Sequence, residues 1–269
     1  MNSTERAFQK TIYAYYREHG RVLPWRSAIT PYKVLVSEVM LQQTQADRVI
    51  PKFQEFLRTF PSIKALSSAP LSQVLSCWSG LGYNRRARFL HECAKKIATE
   101  YKGRVPKNIA ELEKLPGIGA YSARALASFA YNEPHPFIET NIRAVYIHHF
   151  FPKKRVVADS ELLPIIERTL DRKNPREWYS ALMDYGAYVK KEYTNPSRRS
   201  KNHTTQSTFK GSRRELRGGI LKLLLEKPMT ANHLARELKK DAKEVTEVLA
   251  RLVSDGLVVQ RGRSFFVAS

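Results

Sequence analysis

The sequence is poor in cysteine and has no long apolar segment. Cys77 and Cys93 are the only cysteines among 269 residues, and they form neither a CxxC pair nor a metal-ligand spacing. This excludes a disulfide framework and a zinc site, so we expect two buried thiols in a reducing compartment. A membrane span needs about 20 apolar residues, and a secretory leader needs an apolar N-terminal stretch. Neither pattern occurs, so a cytoplasmic protein without membrane binding is expected.

Acidic residues are scarce relative to basic ones. The chain has 46 lysines and arginines against 25 aspartates and glutamates, which gives a formal net charge of +21. Basic charge can serve solubility alone, but an excess of this size favours a polyanionic partner, nucleic acid above all. The length is sufficient for one large domain or two modest ones, each with an apolar core.

Apolar residues recur at helical spacing over most of the first two thirds of the chain. The predicted helices cover residues 2–19, 30–42, 45–60, 70–78, 84–101, 108–115, 120–131, 140–150, 159–170 and 175–189. No alternating strand pattern is found before residue 256. The sequence therefore predicts an all-α body over residues 1–189.

Residues 190–214 interrupt this pattern with basic residues set among Asn, Ser, Thr and Pro. We expect a linker there, either solvated or lying along a polyanion. Residues 215–269 predict three short helices followed by a hairpin with strands at 257–260 and 264–267, which resembles an α+β winged-helix domain. Its last helix carries Glu244 and Glu247 beside Arg251, so a structural or protein-contact role is as open as groove binding.

Two glycines flank one apolar residue in Leu115-Pro116-Gly117-Ile118-Gly119, directly before the helix predicted at 120–131. Glycine permits positive φ and the close approach of a ligand. The unpaired N–H groups at a helix start attract phosphate. The acid Glu139 follows this turn by twenty residues and opens the next apolar helix.

Glu38 lies in the otherwise apolar stretch Val34–Leu41. A charge there is costly unless it is paired or functional. It is interpreted either as a salt-bridged glutamate at a helix edge or as a catalytic acid whose pKa is raised by its apolar setting.

Five stretches, in this order along the chain, are similar to motifs of the MutY-like adenine DNA glycosylases of the helix-hairpin-helix superfamily. They are Leu23–Arg26, Thr30–Lys33, Ser37–Gln45, Trp78–Tyr83 and Met183–Ala187, and the resemblance covers about residues 5–189. It implies an all-α helix-hairpin-helix glycosylase body with its hairpin near residues 110–125. The implied partner is double-stranded DNA that contains a mismatch or lesion.

The resemblance also implies roles for four residues of a catalytic centre. Cleaving an N-glycosidic bond requires a proton for the leaving base and a negative charge near the cationic sugar. Glu38 would supply the proton, Glu139 would stabilise the sugar cation, and Asn141 would hydrogen-bond within the site. Tyr121 occupies the position that is lysine in bifunctional relatives, and tyrosine forms no Schiff base, so hydrolysis without lyase action is implied.

The implied DNA contacts fall into three groups. Gln42, Gln43 and Tyr83 would enter the base stack and support a flipped-out nucleotide, with Thr44 as a further DNA contact beside them, although the glutamines could be ordinary loop amides and Tyr83 ordinary packing. The hairpin residues Leu115, Gly117 and Gly119 would hold phosphate, with room for a bound monovalent cation. The basic residues Arg26, Arg198, Arg199 and Lys201 would complete the contacts.

Three features depart from the family pattern. Glu139 stands where the family has aspartate, and one added methylene matters to catalytic geometry. Lys190, Ser197, Ser200 and Gln206 occupy the register of the family's four cluster cysteines, so no iron–sulfur cluster and no other metal is expected. A winged helix replaces the nudix-like C-terminal domain.

The histidine pair His148-His149 is interpreted as packing and not as a metal site, because adjacent helical positions do not share a face.

These observations favour a cluster-free, monofunctional DNA glycosylase of base excision repair. The run from Glu38 to Thr44 favours adenine, opposite 8-oxoguanine or guanine, as the excised base. A mismatch thymine or uracil glycosylase and a DNA-binding protein without catalysis are the alternatives. The expected protein is a monomer associated with the nucleoid.

Overall fold

A computed structural model describes residues 1–205 and 208–268 of the chain. These residues form two compact units that interleave along the sequence. The first unit contains residues 1–38, 106–114 and 118–205, and the second contains residues 39–105, 115–117 and 208–268. The predicted glycosylase domain (1–189), basic linker (190–214) and winged-helix domain (215–269) stay a prediction.

The first unit is built from helices around one aromatic-rich core. Its helices are α1 (Ser3–His19), the first part of α2 (Pro31–Leu41), α7 (Ile109–Glu113), α8 (Ala120–Tyr131), α9 (Thr140–Phe150), α10 (Asp159–Thr169) and α11 (Pro175–Glu192). Helix α11 packs closely on both α9 and α1. Phe8 on α1 makes edge contacts with Tyr146 and Trp178 at ring-centroid distances of 5.1 and 5.9 Å, so three helices share one core.

The second unit contains the helices α3 (Ala46–Thr59), α4 (Ile63–Ser68), α5 (Leu71–Trp78) and α6 (Arg85–Glu100). Its C-terminal part contains α12 (Arg213–Glu226), α13 (Ala231–Leu238) and α14 (Ala242–Ser254), with strands β1 (Met229–Thr230), β2 (Val258–Arg261) and β3 (Ser264–Val267). The three strands form an antiparallel sheet in the order β1-β3-β2, in which Phe265 pairs with both Met229 and Gln260.

Side-chain caps explain where several helices begin. Asn2 accepts a hydrogen bond from the amide of Glu5, whose carboxylate accepts from the amide of Asn2, so α1 starts with a reciprocal capping box. Thr230 and Asp241 cap α13 and α14 without this reciprocity. The side-chain oxygen of each accepts from N–H groups of the first turn of its helix. These three starts agree with the sequence prediction.

Most predicted helices are confirmed to within two or three residues, but short elements differ. Helix α4 and the 3₁₀ turns Pro24–Arg26 and Pro196–Arg199 have no counterpart in the prediction. Strand β1 corrects the expectation of no strand before residue 256, because two residues are too short to show alternation. Helix α11 continues to Glu192 and α12 begins at Arg213, so both ends of the predicted linker are helical. Across the described residues, no helix combines the length and apolar character that crossing a membrane requires.

Candidate active site

Glu38 lies on α2 with buried apolar residues on both sides, Val36 and Val39. Its carboxyl group is half-buried, and among the described residues no protein group donates a hydrogen bond to it. Burial, together with the nearby charge of Glu139, raises its pKa to about 8. At neutral pH this carboxyl group therefore carries a proton that it can donate.

Glu139 is the N-cap of α9, and its carboxylate is held by the backbone of the first turn. Oε1 accepts from the amides of Asn141 at 2.5 Å and Ile142 at 2.9 Å, while Oε2 accepts from Asn141 Nδ2 at 3.3 Å. Burial raises the pKa of Glu139, but these amides and the charges of Lys190 and Arg143 oppose that rise. Glu139 is therefore the stronger acid of the two glutamates, which we call the catalytic pair.

Asn141 connects the catalytic pair to α11. Lys190 Nζ donates to Asn141 Oδ1 at 3.2 Å, and Asn141 Nδ2 is 3.8 Å from Met183 Sδ. A Cβ at Gly186 would lie 2.5 Å from the carbonyl oxygen of Asn141, so only glycine permits this approach of α11 to α9. Lys190 and Gly186 were missed as site residues, although Gly186 belongs to one of the family-like stretches.

Tyr121 lies in the first turn of α8, and its ring makes an edge contact with Phe137 at 5.7 Å. Burial, then the charges of Glu38 and Glu139, raise the pKa of its phenol well above the ordinary value. The phenol is thus neutral at every physiological pH and shares one electrostatic environment with the catalytic pair. The structure therefore brings together all four predicted catalytic residues: Glu38, Tyr121, Glu139 and Asn141.

Two carboxyl groups with unlike surroundings can divide acid and base work between them. Within the described part of the chain, no group donates to the Glu38 carboxyl to stabilise its anion, and it remains protonated at neutral pH. Glu139 has two backbone donors and cations nearby, which favour its anion. The pair thus offers one proton donor and one negative charge, the two requirements for leaving-group protonation and for stabilising a cation.

Gln43 and Tyr83 adopt left-handed backbone conformations, with φ of 54° and 49°. Such conformations are uncommon for residues other than glycine and concentrate at ligand-binding positions. The two flanking glycines of the second loop, Gly80 and Gly82, also have positive φ, which makes this turn sharp. These loops belong to the second unit and carry the residues predicted to enter DNA.

Arg86 is buried and fixes both loops, a role that sequence reasoning missed. Its guanidinium donates to the carbonyl oxygens of Met40 at 2.9 Å and Gly82 at 3.2 Å, and to Thr44 Oγ1 at 3.0 Å. It also donates to the carbonyl oxygen of Gln42. Burial lowers its pKa to about 10, so it stays charged. Thr44, a predicted DNA contact, is therefore part of the support for these loops.

The predicted hairpin is present between α7 and α8. Gly117 has φ of +77°, and a Cβ there would lie 2.8 Å from the Cβ of Phe89. Gly119 is the N-cap of α8, and a Cβ there would meet nothing within 4 Å. Leu115 is buried, so its side chain packs in the core while the backbone beyond it stays accessible.

Two of the predicted DNA-binding arginines instead have partners within the first unit. Arg26 forms a two-pronged pair with the buried Asp184, with distances of 2.7 and 2.9 Å. Arg199 donates to the carbonyl oxygens of Phe151, Pro152 and Lys154 at the end of α9, which stabilises that helix terminus. Their neighbours Arg198 and Lys201 are exposed.

Residues in the cluster register do not fit an iron–sulfur cluster. Lys190 is bonded to Asn141, and Ser197 Oγ donates to Asn195 Oδ1 at 2.7 Å. Ser200 is buried beside a bridge to Val157, while Gln206 lies outside the described residues. The chain has two cysteines in total, too few for a set of four thiolates. His148 and His149 pack against Tyr193 and Phe8, respectively.

Comparisons with known proteins agree with this geometry. Residues 36–165 match the family described as HhH-GPD superfamily base excision DNA repair protein. An adenine DNA glycosylase of Mycobacterium tuberculosis (strain ATCC 25618 / H37Rv) is 33% identical over 277 residues, which are 93% of this chain and 89% of the relative. That of Mycolicibacterium smegmatis is 34% identical over 93% of this chain and 92% of its own, and that of Rattus norvegicus is 34% identical over 68% and 38%.

Solved structures share the fold. A thermostable thymine-DNA glycosylase has a TM-score of 0.61 and 25% identity, covering 69% of this chain and 87% of its own. A trapped endonuclease III–DNA covalent intermediate has a TM-score of 0.55 and 19% identity over 78% and 92%, which indicates a common fold alone. The family match and the two mycobacterial relatives show that the chain belongs to the adenine DNA glycosylase family of the HhH-GPD base excision repair superfamily.

Proposed function

We propose that this protein excises adenine from DNA in which it is mispaired with 8-oxoguanine or guanine, by hydrolysis of the N-glycosidic bond. The observation that carries the proposal is the catalytic pair, in which Glu38 holds a proton and the Glu139 carboxylate accepts from two backbone amides of α9 that stabilise its anion. The two mycobacterial adenine DNA glycosylases align with 93% of this chain at 33% and 34% identity, which favours adenine as the excised base.

The proposed reaction uses the pair in sequence. Glu38 donates its proton to the adenine ring, which makes the base a better leaving group. The C1′–N bond breaks, and the carboxylate of Glu139 stabilises the developing cation on the sugar. Water then adds to C1′ and returns a proton to Glu38. Asn141 keeps the Glu139 carboxylate in place through its Nδ2 group.

Hydrolysis without strand cleavage is supported by the state of Tyr121 and Lys190, the two residues of the site that could otherwise attack the sugar. Tyr121 keeps its proton and forms no Schiff base. Lys190 is the other candidate, and its Nζ donates to Asn141 Oδ1 at 3.2 Å, which holds this amine on the Asn141 side chain.

Duplex DNA is the proposed partner, bound by a monomer of the protein. The strained loops at Gln43 and Tyr83 would support a flipped nucleotide, and the backbone at Gly117 and Gly119 would hold phosphate, with a monovalent cation as a further ligand. Arg198 and Lys201 are exposed for phosphate contacts. The C-terminal helices and three-stranded sheet support a winged-helix assignment. We also propose that the protein acts in the nucleoid and needs no iron–sulfur cluster.

A mismatch thymine glycosylase is the second candidate. The observation in its favour is the structural match to a thymine-DNA glycosylase at 25% identity. A DNA-binding protein without catalysis is the third, but it leaves the protonated state of Glu38 without a use.

Four duplexes separate the candidates: adenine opposite 8-oxoguanine, adenine opposite guanine, thymine opposite guanine and uracil opposite guanine. Released base is quantified by chromatography, and strand breaks are counted before and after alkali. We expect free adenine and breaks that require alkali. Release of thymine or uracil alone would establish the second candidate, and tight binding without release from any duplex would establish the third. The protein should purify without colour.

A further inference from the structure

The second unit contains a cavity of about 700 Å³ whose lining includes none of the four catalytic residues. Its walls come from five stretches distant in sequence: residues 42–43, residues 83–89 at the loop and start of α6, Gly117, Arg217 of α12, and residues 251–255 at the end of α14. Tyr83 and Phe89 supply aromatic surface, and Arg85, Arg217 and Arg251 supply positive charge. We call this cavity the arginine pocket. Its volume lies within the range of about 300–1,000 Å³ that is usual for small-ligand sites.

Asp255 makes the arginine pocket a built site. Its carboxylate lies 2.8 Å from Arg217 Nη2 and 3.5 Å from Arg85 Nε. Its carbonyl oxygen also accepts from Arg88. A Cβ at the next residue, Gly256, would lie 2.7 Å from Arg88 Nη1, so the chain approaches α6 as closely as a glycine allows. The end of α14 is therefore fixed against α6, and the acidic residue serves to orient arginines.

The charge of the arginine pocket is positive after this pairing. Four guanidinium groups line it, those of Arg85, Arg86, Arg217 and Arg251, and the Asp255 carboxylate neutralises one of these charges. Arg251 is exposed and, within residues 1–205 and 208–268, has no ion-pair partner. Ser254 and the Gln42 and Gln43 side chains add hydrogen-bonding groups to the same wall. Guanidinium groups bind phosphate oxygens, while hydroxyl and amide groups suit the edge of a base.

We propose that the arginine pocket binds one nucleotide of the duplex, with its phosphate on Arg251 and Arg217 and its base beside Tyr83 and Ser254. The C-terminal helices would then take part in recognition through the end of α14 rather than through its acidic outer surface. This inference rests on the proposed function insofar as that function makes duplex DNA the ligand. The nucleotide can come from the strand that carries the excised adenine or from the opposite strand.

Binding by Arg251→Ala is the first test, with Arg236→Ala on α13 as the matched control outside the cavity. Affinity is measured by fluorescence anisotropy on a duplex whose target is a non-hydrolysable 2′-fluoro adenosine. We expect Arg251→Ala to bind about tenfold more weakly and to reduce the slope of log affinity against log salt by about one. Arg236→Ala should stay within about twofold. Equal affinities for the two variants would overturn the proposal.

The second test identifies the nucleotide. Single phosphates near the target are replaced by neutral methylphosphonates, one position and one strand at a time, and affinity is measured for wild type and Arg251→Ala. At one position the replacement should weaken wild type and leave Arg251→Ala unchanged, and the strand of that position identifies the source. Equal losses in both proteins at every position would refute the phosphate contact. Circular dichroism confirms that both variants fold, and Arg251→Lys should recover part of the affinity.

These binding measurements are independent of adenine release. If wild type releases no adenine but Arg251→Ala loses affinity as described, the proposed function fails and the arginine pocket stands. If adenine is released while Arg251→Ala and Arg236→Ala behave alike, the proposed function stands and the pocket inference fails.

Discussion

Buried charge has opposite sign in the two compact units. The first unit holds carboxyl groups out of water, namely the half-buried catalytic pair of Glu38 and Glu139 and the buried Asp184 and Glu5. The second unit buries the guanidinium of Arg86 and gathers further arginines around one cavity. Burial raises the pKa of the Glu38 carboxyl group, which can therefore transfer a proton. At Asp184 burial acts in the same direction, but Arg26 and Arg21 outweigh it and lower the pKa of that carboxyl group. A buried guanidinium stays charged and holds carbonyl oxygens. The contrast indicates acid–base chemistry in the first unit and the fixing of anion-binding loops in the second.

The largest expected effects come from removing the structural charge of each unit. Arg86→Met leaves at least four acceptors of the second unit without their donor, and we expect a loss of about 3–5 kcal/mol in the free energy of unfolding. Asp184→Asn weakens the pairs with Arg21 and Arg26, and because Arg21 reaches water the loss should be smaller, about 2–4 kcal/mol.

Urea unfolding measures both losses, with the exposed Arg58→Met as a control that should change stability by no more than about 0.5 kcal/mol. If Arg86→Met behaved like this control, the guanidinium would not be what holds the two loops.

Lys190→Met tests whether α11 tunes the catalytic pair. The Lys190 ammonium bonds Asn141 and lowers the pKa of Glu139, so its removal raises that pKa. We expect about tenfold slower single-turnover excision and an acidic limb of the pH–rate profile displaced to higher pH. Glu38, Tyr121 and Arg143 also influence this site, and they remain in place.

Lys191→Met, on the exposed face of the same helix, is the matched control. An unchanged acidic limb in Lys190→Met would assign Lys190 a purely structural role.

The pH dependence of stability tests the raised pKa of Glu38 without any substrate. The folded-state pKa is about 8 and the ordinary value is 4.5. The folded protein keeps a proton that the unfolded chain releases, so this stabilisation is complete below about pH 4.5 and is lost as the pH rises through about 8. Glu38→Gln removes that dependence.

Between about pH 5 and pH 9, the free energy of unfolding of Glu38→Gln should therefore rise by about 1–3 kcal/mol relative to wild type. This change is smaller than the value that the full pKa shift would give, because the Glu38 carboxyl group is only half-buried. Parallel stability curves for the two proteins would mean that the pKa of Glu38 is ordinary.

Glu139→Asp is expected to have the smallest effect. Aspartate is a good N-cap residue and can accept from the same amides of Asn141 and Ile142. We predict excision at or above the wild-type rate on a duplex with adenine opposite 8-oxoguanine. A complete loss of activity would show that the site is built around the longer side chain.

The site in the first unit was largely predictable from sequence, and the pocket in the second was not. An acid in an apolar helix and an acid at a helix start after a glycine turn are local patterns, so Glu38 and Glu139 could be proposed directly, whereas Asn141 and Tyr121 were proposed through the family resemblance. Lys190 reaches Asn141 only because α11 packs on α9, forty-nine residues later. The arginine pocket joins residues 83–89 to residues 217–255, and one arginine in a basic chain gives no signal of burial, so Arg86 was indistinguishable from its neighbours.

The proton on Glu38 is the central claim, and its removal is the most direct test. Single-turnover release of free adenine is measured for wild type, Glu38→Gln and the exposed control Glu18→Gln on a duplex with adenine opposite 8-oxoguanine. The account predicts at least about a thousandfold loss of rate for Glu38→Gln, unchanged release by Glu18→Gln, and DNA affinity for all three within about threefold. Adenine release by Glu38→Gln at a rate near that of wild type would contradict it.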